Sequence, residues 1–365
     1  MTWPDTVKLK NLTWNRSLDS NFNKQIKIDY LIVGQGIAGT MMAYHLIKAG
    51  KRILVVDNGV SSSSMIAGGL FNPVTGRRFV KSWLIDELLP CAETVYKDME
   101  VILGKKLLYK LPIVKYLSGE EEKEVYERSI QDDKKKYIAG FTASESGNKY
   151  ASCEIKGGGY IDTLLLITAF RKYLDQQHSF VESNFAYNDI IINELNIVWG
   201  DFQACSIIFC EGYRATENPY FPGLPFNLAK GEILTVRIPG LYAENILMST
   251  GYLVPVGNDI YKMGSTYEWD DLTTLPTEKG RKELIGKLKK ITELPFEILN
   301  HEAGIRPAVK QRRPLLGKSH INDKMFILNG LGTKGVILAP YFALQLAEYI
   351  LQGKPIEKDV DINFS

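Results

Sequence analysis

The sequence predicts an α/β domain combined with an α+β domain, and three observations carry that expectation. A strand–turn–helix–strand–acid unit opens the chain at Asp29–Asp57. A second glycine-rich strand–loop–helix unit closes it at Leu328–Pro340. Between them lie short β-like runs joined by turn residues, the pattern of a mixed, mostly antiparallel sheet.

The opening unit reads DYLIVGQGIAGTMMAYHLIKAGKRILVVD. Tyr30–Val33 is a short apolar run with strand character, and Gly34, Gly36 and Gly39 follow in the spacing G-x-G-x-x-G. In that spacing the first glycine allows a tight turn, the second a close backbone approach to a pyrophosphate, and the third close helix–strand packing. A helix-like segment then presents unpaired N–H groups and a positive dipole end to the phosphates. Ile53–Val56 is a second strand, and Asp57 stands where an acid holds ribose hydroxyls. The strand–turn–helix–strand context raises this motif above a chance match. It specifies a dinucleotide and leaves NAD and FAD both open.

The remaining elements follow in order. Residues 1–27 are polar and aperiodic and read as an N-terminal arm. Ser61–Arg78 (SSSSMIAGGLFNPVTGRR) is a small-residue loop with little helix or strand signal. Ser82–Gly104 reads as a helix, Leu107–Leu117 as a strand, and Gly119–Lys136 as a charged surface helix. In Gly157–Leu174 the glycines and Asp162 mark a turn and cap ahead of a helical pattern. Ile190–Trp199, Ala204–Cys210, Gly231–Arg237, Tyr252–Val256 and Ile260–Ser265 read as strands, with a turn at Gly257–Asp259. Glu278–Thr292 is amphipathic and helical, Met325–Leu328 is a strand, and Val336–Leu351 is a long closing helix.

Composition narrows the function classes. The 365 residues are 45% hydrophobic and 24% charged, ordinary for a globular chain of about two domains. A net charge of +2 is too mild to argue for nucleic acid. Four cysteines without a C-x-x-C fit a reducing compartment, and four histidines without ligand spacing argue against a metal site. No apolar run approaches membrane-helix length, and the first twenty residues lack the apolar centre of a secretory signal. The expected location is the cytoplasm.

A long cofactor with a second end to hold explains the second glycine-rich unit, which a simple NAD dehydrogenase does not need. GQGIAG with Asp57, the loop SMIAGGLFNP, the stretch AGIRPAVKQRRPLLG and the terminal NGLGTKGVILAP together resemble the D-amino-acid-oxidase-type FAD oxidoreductases over roughly residues 28–352. This group includes glycine oxidase, monomeric sarcosine oxidase and the oxidase domain of a bifunctional tRNA-modifying enzyme. The resemblance implies a Rossmann-like FAD-binding domain of the two-dinucleotide-binding-domain flavoprotein type, with an inserted substrate domain. The expected boundaries are 28–90, 150–222 and 303–352 for the FAD domain, 91–149 and 223–302 for the substrate domain, and 353–365 for a tail.

The resemblance assigns the adenosine half of FAD to Gly34, Gly36, Ile37, Ala38, Gly39, Asp57 and Asn58, with Val181 near adenine. Relatives usually carry Glu where Asp57 stands. Ser62, Ser63, Ala67 and Gly68 correspond to the loop that wraps pyrophosphate and flavin. Gly332, Thr333, Lys334 and Gly335 correspond to the flavin-end clamp, where a helix N-terminus favours the charge that develops on reduction. FAD is expected to be non-covalent, because the sarcosine-oxidase branch links its flavin through a cysteine near Arg312–Arg313 and none stands here.

The implied reaction oxidises the C–N bond of a small amine or amino acid, with oxygen or another acceptor restoring the cofactor. The resemblance makes Arg306 of the G-x-R-P motif a carboxylate clamp, which suits guanidinium geometry; the alternative is a structural ion pair. It makes Tyr252 a second carboxylate contact, or else a packed sheet tyrosine. Lys262 corresponds to an oxygen-activating lysine, or else lies on an exposed sheet face. Thr266 and Tyr267 are expected in the same pocket. Arg77, Arg78, Lys310, Arg312 and Arg313 read as solvated loops and phosphate contacts, or as a site for an acidic substrate or RNA backbone. Two other functions stand as alternatives: a tRNA-modifying oxidoreductase, and a flavin-holding electron-transfer subunit without its own turnover. Homo-oligomerisation is left open.

Overall fold

The structure is a computed structural model that describes residues 25–60, 62–117, 119–129, 133–142 and 151–364. It divides into two compact units, the first formed by residues 25–60, 167–227 and 307–364, the second by 62–166 and 228–306. Most of the expected arm, residues 1–24, lies outside the described residues.

The first unit is built on a mixed sheet whose central strands are parallel. Strand β1 (Ile26–Val33) lies at its centre and leads through the glycine turn into helix α1 (Ile37–Lys48) and strand β2 (Ile53–Asp57). β1 pairs in parallel with β2 on one side and with Phe202–Phe209 on the other. Phe180–Glu182 extends the sheet beyond β2, and Met325–Asn329 extends it beyond Phe202–Phe209, both in parallel. The carboxyl ends of these strands gather Gly34, Asp57, Cys210 and Gly330 at one edge, where parallel α/β sheets bind ligands. Leu31, Val33, Val56, Ile207, Phe209 and Ile327 bury one face of the sheet. The helix Gly335–Gln352 packs along α1, and His45 Nε2 lies 2.9 Å from the Pro340 carbonyl oxygen.

Among the described residues the second unit holds an eight-stranded sheet in which only Ile113–Tyr116 and Ile246–Met248 pair in parallel. Its long strands are Ala229–Arg237 and Glu297–Arg306, antiparallel in a register that sets Ala229 opposite Arg306. The hairpin Tyr252–Gly257 and Ile260–Gly264 adjoins them. It turns at Asn258 and Asp259, both at positive φ as a tight hairpin turn requires. Leu234, Val236, Leu253, Met263, Leu284 and Leu288 pack the helix Glu278–Leu288 against this sheet.

Several elements differ from the expectations, each for a local reason. β1 starts at Ile26, so Ile26 and Lys27 belong to the sheet, held by pairing with Phe202 and Gln203. The small-residue loop contains a helical turn, Ser63–Ile66, and a strand, Leu70–Phe71, that pairs with Gly159–Ile161. Leu107–Leu117 divides into Leu108–Lys110 and Ile113–Tyr116, which pair in different sheets. Ile190–Trp199 is a hairpin closed by Asn193 donating its N–H to the Asn196 carbonyl. The charged helix spans Glu120–Ser129, with a 3₁₀ turn at Asp133–Lys136. The tail bonds back along Leu316 through Val360 and Ile362.

The units also divide the chain away from the expected domain boundaries. Residues 223–227 join the first unit, and residues 62–90 and 151–166 join the second unit, where Gly159–Ile161 ties Leu70–Phe71 to Leu108–Lys110. Residues 303–306 stay with it because their strand pairs unbroken from Glu297 to Arg306.

Candidate functional site

In the first unit the glycine turn is sterically closed. Gly34 has φ +95°, and a Cβ there would lie 2.5 Å from the Cys210 carbonyl oxygen. A Cβ on Gly39 would lie 1.9 Å from the Gly34 carbonyl oxygen, so α1 can approach β1 only with glycine at that position. Gly36 caps α1 in an extended conformation, it has no side chain to cap the helix, and no acid stands in the first turn. The Thr40 hydroxyl in that turn is buried without a hydrogen-bond partner. Gly332, Thr333, Lys334 and Gly335 lead into the closing helix, whose first turn also lacks acids. A Cβ on Gly335 would meet Ile37 at 3.1 Å, so both predicted cofactor segments lie together. Burial, with the charges of Arg313 and Arg312, holds the Lys334 ammonium below its usual pKa.

Asp57 is the most heavily prepared group. Its Oδ2 accepts the Gln35 N–H at 2.8 Å, and its Oδ1 accepts the Gly59 N–H at 2.9 Å and Arg171 Nη2 at 3.0 Å. Arg171 Nε donates to Gln35 Oε1 at 2.5 Å, and Gln35 Nε2 donates to the Ile167 carbonyl at 3.0 Å. A carboxylate has about four lone-pair directions, so roughly one remains for a ribose hydroxyl. Asn58 donates to Asn184, and Val181 pairs with Val56 in the strand beside Asp57. Beyond Phe202–Phe209 lies a second acid, Glu211, nearly buried. It accepts the Tyr187 hydroxyl and Asn218 Nδ2, both at 2.8 Å. Burial pushes its carboxyl up to about 6 although both bonds favour the charged form.

In the second unit, Tyr252, Lys262 and the loop Ser62–Gly68 come together. Gly68 and Gly264 make room for the Tyr252 ring, since a Cβ on either would approach its hydroxyl to 2.9 or 2.4 Å. Burial lifts the Tyr252 hydroxyl to about 12, with the Arg306 charge opposing. Lys262 Nζ donates to the Ala67 carbonyl at 3.4 Å, and burial lowers its pKa. Ser63 lies against Gly304, two residues before Arg306, and the Ser62 hydroxyl is buried without a partner.

The Arg306 guanidinium is fixed without a carboxylate. Nη1 donates to the Lys230 carbonyl and Nη2 to the Thr266 carbonyl, each at 3.1 Å. One face lies 4.3 Å from the Tyr267 ring centroid. Gly231 makes room for it, as a Cβ there would fall 1.8 Å from Nη2. Two of five N–H donors are thereby engaged. Burial lowers its pKa, yet a guanidinium keeps its charge at any ordinary pH. Thr266 departs from its expected place in the pocket: it is buried, and its hydroxyl accepts the Glu232 N–H, so it supports Arg306 through its carbonyl. Arg77, Arg78, Lys310 and Arg312 are exposed.

The donor set fits FAD. In the first unit, closed glycine turns, two helix starts without acids, the Asp57 carboxylate and the unpartnered Thr40 hydroxyl suit a dinucleotide with a long polar chain. Among the described residues no three His, Cys, Asp or Glu side chains group to hold a metal. No helix there is long and apolar enough to cross a membrane.

Comparison with known proteins agrees with this geometry. The family of FAD dependent oxidoreductases designated DAO matches residues 29–349, and the chain belongs to it. The chain is therefore an FAD-dependent oxidoreductase. It is 23% identical to the uncharacterized oxidoreductase YurR of Bacillus subtilis over 364 residues, covering 91% of this chain and 96% of that protein. It is 23% identical to glycine oxidase of Bacillus licheniformis over 359 residues, covering 91% and 95%. The glycine oxidase structure from Geobacillus kaustophilus superposes with a TM-score of 0.78 at 20% identity, covering 93% of this chain and 98% of that one. The fold is that of glycine-oxidase-type flavoproteins.

Sequence reading missed Arg171, Gln35, Tyr187 and Asn218. Arg171 carried one signal: with Ile167, Phe170 and Leu174 it falls on the buried face of a helix, where a lone arginine needs a partner.

Proposed function

We propose that this protein oxidises the C–N bond of a small amine or amino acid that carries a carboxylate, releasing an imine that water hydrolyses. The observation that carries this reading is Arg306, largely buried, immobilised by two carbonyls, and with donors to spare. Bound FAD would supply the hydride-accepting chemistry for the carbon that bears nitrogen.

The chain's own residues orient the substrate and manage charge. Arg306 receives the carboxylate edge-on through its remaining N–H groups. Tyr252, which stays protonated at any ordinary pH, adds a hydroxyl donor. Lys262 supplies a partly desolvated cation for oxygen or another electron acceptor. Gly34, Gly36, Ile37, Ala38 and Gly39 receive the pyrophosphate, Asp57 and Asn58 the ribose, and the Val181 strand the adenine. Gly332–Gly335 of the first unit and Ser62, Ser63, Ala67 and Gly68 of the second are the further segments assigned to FAD, each by its own resemblance, and no covalent link is needed.

The test is Arg306→Lys, which keeps the charge and removes the fork. The apparent Kd for a carboxylate-bearing substrate or inhibitor is expected to rise about tenfold or more while the flavin absorbance stays. An unaltered Kd would remove Arg306 from the substrate site.

A further inference from the structure

The segment from Thr266 to Thr277 leaves the sheet beside Arg306 and is pinned along its length. Glu268 exchanges both backbone hydrogen bonds with Lys230. The Lys230 side chain, wholly buried, donates to Asp271 Oδ2 at 2.6 Å and Thr273 Oγ1 at 3.1 Å. The buried Glu232 carboxylate accepts the Thr277 N–H at 3.0 Å and its hydroxyl at 2.7 Å. A lysine and a glutamate are thus buried to hold one loop, and removing either partner of such a pair is costly.

This rigid loop presents aromatic surface outward. Tyr267 is 47% exposed and Trp269 56% exposed. Their ring centroids lie 5.8 Å apart at 33°, and the other neighbour of Tyr267 is the Arg306 guanidinium. The aromatic surface therefore continues directly from the group assigned to the carboxylate. Of the three acids beside it, Glu268 pairs with Lys279 and Asp271 with Lys230, while Asp270 stands exposed next to Trp269. A carboxylate meets a guanidinium in its plane, so Tyr267 can cover the guanidinium face while the edge engages substrate.

We propose that Tyr267 and Trp269 form a subsite for a flat aromatic or apolar substituent of the substrate, selecting carboxylate-bearing amines larger than glycine. This rests on Arg306 as the carboxylate clamp. Stacking and burial against two rings favour such a substituent by about tenfold.

The test uses the FAD-loaded enzyme and two matched carboxylates, acetate and indole-3-acetate, each titrated against the flavin absorbance band. Indole-3-acetate is expected to bind at least about tenfold more tightly. In Trp269→Ala, and independently in Tyr267→Leu, the ratio of the two Kd values is expected to fall toward one. Equal affinities, with acetate binding weakened by Arg306→Lys, would overturn the subsite and leave the clamp standing. A preference for indole-3-acetate that survives both substitutions would also overturn the subsite. Binding of neither carboxylate would overturn clamp and subsite together.

Discussion

Asp57 shows how a single carboxylate at a strand end is fixed by its neighbours. Left alone at a strand end it would turn toward solvent, but Gln35, Gly59 and Arg171 hold both oxygens. Arg171 also grips Gln35, so one guanidinium fixes both the acid and the glycine turn. Arg171→Met is expected to raise the Kd for FAD about tenfold in a fluorescence titration of the apoprotein, with Arg171→Lys recovering part of it. The loss is expected to shrink in an Asp57→Asn background, as it should if Arg171 acts through Asp57. Equal loss in both backgrounds would make Arg171 a packing residue. The position of Asp57 is legible in the sequence because it follows from motif spacing. Its partner is not, because Arg171 is 114 residues away and only the folded sheet brings them together.

Among the elements, those with a strong local signal were legible: the glycine turn with its helix, the closing helix, and the hairpin ending at Gly264. Those set by pairing partners were not. Ile190–Trp199 is apolar on both sides of Asn193–Asn196 and lacks Gly or Pro at its turn, so its hairpin is visible only once Ile191 faces Val198. The junction after Phe202–Phe209 holds a buried group that titrates near neutrality. Burial raises the folded pKa of Glu211 from its ordinary 4.5 to about 6, so its share of stability is full below pH 4.5 and is lost as pH rises through 6. Glu211→Gln does not titrate. Relative to the variant, the parent is expected to lose roughly 2 kcal/mol across that window. Thermal melts of both proteins from pH 4.5 to 7.5 check this, and parallel curves would contradict it.

At the scale of the whole molecule, the chain threads back and forth between its two units. The first takes the chain's beginning, middle and end, and the second takes the two stretches between. The sequence shows that alternation because its glycine-rich units stand at opposite ends. It does not show where the crossings fall, since strand pairing over distance decides them: Arg306 remains with the second unit while Pro307 begins the last part of the first. The DAO match spans residues of both units. The most direct test of the central claim is an anaerobic visible spectrum of the FAD-loaded protein, titrated with glycine, sarcosine, proline and D- and L-amino acids, aromatic ones included. Amine oxidation predicts that at least one bleaches the flavin band, and that air or another acceptor restores it. A band that no member of the panel bleaches would contradict the proposal that this oxidoreductase acts on small carboxylate-bearing amines.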